Sequence, residues 1–153
     1  MWSQKTVDQF RRDLPLPRLF AELIEAGRWV NPGDDVMRQK VSFIREPLTF
    51  LCSKDDMLFN SGPLMDKDAS DNESFSEYRG SVVGERPLPW IDVERSIFII
   101  VNKYPGDDVG IALDYRTGIN APRVVGGDWW TGRSLDYRQI SPTFDEFVQL
   151  LGL

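Results

Sequence analysis

The feature that most constrains this chain is the run Ile97-Phe98-Ile99-Ile100-Val101, apolar at every position. A segment apolar on both faces is expected of a central strand, because both its faces must be covered. Tyr104-Pro105-Gly106-Asp107 then supplies a turn. Val109-Gly110-Ile111-Ala112-Leu113-Asp114 alternates strictly, with Val109, Ile111 and Leu113 on one face and Gly110, Ala112 and Asp114 on the other. The small pair Gly110 and Ala112 would admit a helix or another backbone at close range. Arg116-Thr117-Gly118 reads as the next turn and Arg123-Val124-Val125 as a returning strand, across which Asp114 and Arg123 could pair. Gly126-Gly127-Asp128-Trp129-Trp130-Thr131-Gly132 reads as a loop, and 137–140 as a last short strand.

Helical patterns flank these strands. Val7, Phe10 and Leu14 give a weak one, ended by Pro15-Leu16-Pro17. Pro17 suits a first helical turn, Leu19, Phe20, Leu23 and Ile24 form one stripe, and Gly27 fits a left-handed stop. The stretch 41–44 is ambiguous, and 48–52 reads as a strand. At the other end Thr143 and Glu146 have capping-box spacing, Phe144, Phe147, Val148 and Leu151 recur at helical intervals, and Gly152 stops the helix. Helices lead, strands dominate the middle and a helix closes. The expected fold is α+β, with a mixed, mainly antiparallel sheet flanked by N-terminal helices and a C-terminal helix. At 153 residues a single domain is expected, with Trp29 and Trp90 in its core.

Residues 55–77 carry seven carboxylates against Lys67 alone, a net −6 that equals the charge of the whole chain. With Asn60-Ser61-Gly62-Pro63 inside it, the stretch 54–77 reads as an exposed, partly mobile acidic insertion within that domain. Asp66, Asp68, Ser70, Asn72, Ser74 and Glu77 match a calcium-loop template, but its turn position, which needs glycine, is Asp71. No metal is expected there.

Composition narrows the chemistry. The chain has no histidine, which removes Ser-His-Asp and Cys-His nucleophile arrangements and the usual imidazole acid/base. One cysteine, Cys52, forms no internal disulfide, and without histidine it builds no familiar zinc site. No glycine-rich phosphate-binding loop occurs, so no cofactor is expected. An acidic chain repels phosphate backbones, so a basic protein is a better partner than nucleic acid. No segment approaches the roughly 20 apolar residues of a membrane helix, and no secretory h-region opens the chain. The expected place of action is the cytoplasm and the expected role is binding rather than catalysis.

Several short pieces occur together in order: Pro87-Leu88-Pro89-Trp90, the strand 97–101, Gly106-Asp107-Asp108-Val109-Gly110-Ile111-Ala112-Leu113-Asp114-Tyr115, then Asp128-Trp129-Trp130 and Ser141-Pro142-Thr143-Phe144-Asp145-Glu146-Phe147. Over 80–152 this resembles the core of the SUKH superfamily, which includes the Smi/Knr-type proteins. The resemblance implies an α+β fold and non-enzymatic work. Bacterial members look like immunity proteins that neutralise a cognate toxin, often a nuclease, and eukaryotic relatives act as regulatory or scaffolding subunits. The residues expected to meet a partner are Asp66, Asp68, Asp71 and Glu73 of the acidic stretch, Asp107 and Asp108 of the turn, and Trp129 and Trp130, of which one is expected buried and one partly exposed. Acidic groups steer a basic partner, and exposed tryptophans anchor interfaces.

Overall fold

The computed structural model describes residues 12–61, 88, 91, 95–105, 109–128 and 136–153. Among these, four α-helices accompany a five-stranded sheet. In chain order they are α1 (Arg18–Glu25), α2 (Asp34–Lys40), β1 (Leu48–Phe50), α3 (Lys54–Ser61), β2 (Ser96–Asn102), β3 (Gly110–Asp114), β4 (Arg123–Asp128), β5 (Asp136–Ser141) and α4 (Phe144–Leu151). The strands lie in sequence order, β1-β2-β3-β4-β5, and every pairing is antiparallel. The fold is α+β, as the order of elements implies, and the sheet is a plain antiparallel meander rather than a mixed one.

Register sorts the side chains into two layers. Ile97 opposes Leu113 and Ile100 opposes Ile111, while Leu113 opposes Val124. These residues join Phe20, Trp29, Phe144 and Phe147 in the main core. Phe20 packs at 4.6 Å, centroid to centroid, against both Trp29 and Phe144, and Trp29 lies 4.7 Å from Phe50. Four separate elements or loops are thereby joined through rings. The Trp29 Nε1–H donates to the Leu51 carbonyl at 2.9 Å, so the indole is buried with its polar edge satisfied. The opposite layer holds Phe98, Ala112, Val125 and Tyr137, all buried, with the Phe98 and Tyr137 rings stacked at 6.4 Å. What comes close to Gly110 is this aromatic ring: a Cβ there would stand 3.0 Å from Phe98 Cε1.

The helix ends follow local rules. Pro17 is the residue before α1 rather than its first turn, since its ψ of 142° is extended. At the far end the Gly27 N–H donates to Ile24 and that of Arg28 to Leu23, closing the helix around a left-handed glycine (φ 69°). The same pair of bonds ends α4 at Gly152. At the start of α4, Thr143 Oγ1 accepts the Glu146 N–H at 3.2 Å, and Glu146 Oε2 accepts from the threonine hydroxyl at 3.1 Å. Half of the expected capping box therefore forms: Thr143 caps a backbone N–H, whereas the glutamate binds the threonine hydroxyl instead of a backbone N–H.

Two stretches differ from expectation. Residues 54–61 are helix α3, with Met57 and Ser61 buried, rather than the opening of an exposed insertion. Its Lys54 Nζ donates to the carbonyls of Arg12 and Leu14, both at 2.6 Å, and pins the segment ahead of α1. Burial draws the Lys54 ammonium below its usual pKa, against the opposing pull of Asp13. Gly126 to Asp128 belong to β4 rather than to a loop. A Cβ on Gly126 would stand 2.8 Å from Ile140 Cδ1 and 3.1 Å from Phe43 Cζ, so the bare backbone here makes room for two partly buried side chains. The remainder of the acidic stretch, 62–77, the first helical pattern up to Arg11, and Trp90 lie outside the described residues.

Candidate functional site

The meander has two ends with different characters. At one end β3 finishes with Asp114, whose side chain has no exposure to solvent. A lone carboxylate there would be costly, and the sequence surrounds it with donors. Arg116, in the 3-10 turn Tyr115–Thr117, gives its backbone N–H at 3.1 Å, its Nε at 3.0 Å and its Nη2 at 2.9 Å. Arg123, directly opposite Asp114 on β4, adds Nε at 2.9 Å and Nη2 at 2.8 Å. The pairing of Asp114 with Arg123 forms as expected, within a buried three-member cluster that Arg116 completes. Burial by itself pushes the Asp114 carboxyl up. The hydrogen bonds from Arg116, its positive charge and the bond from Arg123 outweigh that and hold it below the ordinary carboxylate range. Both oxygens are committed to the fold, so this carboxylate is a structural tie between β3, the turn and β4.

Tyr115, next in sequence, sends its hydroxyl to the Pro15 carbonyl at 2.8 Å and so holds the segment before α1 against the β3–β4 connection. Burial raises the pKa of this phenol. At the same end Pro17, Asn120, Ala121, Pro122, Thr143, Phe144 and Asp145 line a shallow groove of about 180 Å³.

The opposite end borders the connections in which several of the expected partner residues lie. Gly110 pairs with Gly127, and Asp128 pairs with Asp136. The connection that carries Asp107 and Asp108 and the one that carries Trp129 and Trp130 are therefore both tethered at this end of the sheet. Asp107, Asp108, Trp129 and Trp130 themselves lie outside the described residues, as do Asp66, Asp68, Asp71 and Glu73. The described residue that stands out here is Tyr104, half of its surface exposed (54%), with Lys103 Nζ 5.6 Å from its ring centre. Its carbonyl accepts Asn102 Nδ2 at 2.6 Å, which fixes the start of the turn. In the sequence Tyr104 reads only as a turn residue; a large aromatic beside Pro105 in a polar turn was the available signal.

Among the described residues no group of three or more His, Cys, Asp or Glu could hold a metal ion, and no helix is long and apolar enough to cross a membrane. No family model matches the chain, and no curated protein or solved structure matches it either.

Proposed function

We propose that this chain is a protein-binding module of the SUKH type, an immunity-type antagonist that covers a basic toxin domain, such as a nuclease, in the cytoplasm. The observation that carries the reading is the resemblance of 80–152; among the described residues, 97–101 lie in β2, 110–114 in β3 and 144–147 in α4. Three further points support it. The chain carries a net charge of −6, which favours approach of a basic partner. The enclosed carboxylate of Asp114 is occupied by two arginines and is not open to a substrate. The connections bearing Asp107, Asp108, Trp129 and Trp130 share one end of the sheet with exposed Tyr104, and a contact surface there would combine acidic steering with aromatic anchoring.

The test is co-expression with the product of the adjacent gene. The expected result is that this product arrests growth alone, that the present chain relieves the arrest, and that the two co-purify. Tyr104→Ala should weaken the pair by about tenfold or more while leaving the melting temperature unchanged. A harmless neighbour, together with a pull-down that recovers no protein, would sink the proposal. Recovery of endogenous cell-wall or signalling proteins instead would favour a regulatory or scaffold role.

A further inference from the structure

We draw no further inference here: the strongest candidate, the shallow groove between Pro17, the 120–122 turn and the start of α4, is an apolar surface and nothing in the structure shows what covers it.

Discussion

The Oγ of Ser61 accepts a hydrogen bond from the Phe98 N–H at 3.0 Å and donates one to the Met57 carbonyl at 2.7 Å. β1 pairs only with Ile100, Val101 and Asn102 of β2, so it stops short of Phe98. The last residue of α3 takes over where β1 ends, and a serine can do this because one hydroxyl both accepts and donates. Ser61→Ala removes the acceptor at a buried site. The expected loss is about 1–3 kcal/mol in urea unfolding. An unchanged midpoint would show that the bond contributes nothing net.

Acid should loosen the β3–β4 turn. The folded-state pKa of Asp114 is depressed, so its contribution is complete above the unfolded value, roughly 3.9. It is lost as pH falls from there through the folded pKa. Asp114→Asn leaves Arg116 and Arg123 facing a neutral amide and should cost about 3–5 kcal/mol at neutral pH. The variant should also show a flatter decline of stability below pH ~4. Urea titrations at a series of acidic pH values, run on both proteins, read the two effects separately.

Alkali should act through Tyr115. Its folded pKa is raised by burial, so the stability it confers is complete below the unfolded value of about 10. Above that value the unfolded chain ionises first, and stability falls with rising pH. Tyr115→Phe should cost about 0.5–1.5 kcal/mol at neutral pH through loss of the bond to Pro15. It should also remove part of the alkaline decline, measured by thermal melts between pH 9 and 11 (a window set around ~10). Identical alkaline limbs in the two proteins would count against this role.

Ser96 predicts the opposite of Ser61. It is fully buried opposite Asp114 in the register, and its hydroxyl has no hydrogen-bond partner among the described residues. Burying an unbonded hydroxyl is unfavourable by about 1–3 kcal/mol. Ser96→Ala should therefore leave stability unchanged or raise it, as a shift of the thermal midpoint to equal or higher temperature. A large loss would mean that the hydroxyl is bonded in solution.

Elements with a strong apolar period were legible from the residues. The alternation of Val109, Ile111 and Leu113 gave β3, and Thr143 with Gly152 bracketed α4, because the cap bonds depend on neighbours along the chain. α2 went unread because it buries only Met37 and offers no stripe. α3 was hidden by Lys54-Asp55-Asp56, a polar start that resembles a loop but also suits a helix N-terminus, where carboxylates meet the positive end of the dipole.

The surroundings of β4 were harder to read. Spacing suggested that Asp114 and Arg123 would face each other, but Arg116 joins them only because the chain turns through a 3-10 step straight after β3. Likewise Gly126 and Gly127 favour a loop by composition, yet they continue β4 beneath Phe43 and Ile140, which approach Gly126 from other elements.

The class of fold, the helix stops and the lack of imidazole chemistry were already fixed in the order of residues, since periodicity, caps and composition are local or additive properties. Three further features arose only on assembly: α3 completes the edge of β2 through Ser61, two arginines enclose Asp114, and the pairs Gly110–Gly127 and Asp128–Asp136 fall at one end of the sheet. Each of these depends on which groups remain unpaired once the strands are in register. That is a property of the assembled sheet, and no single segment contains it.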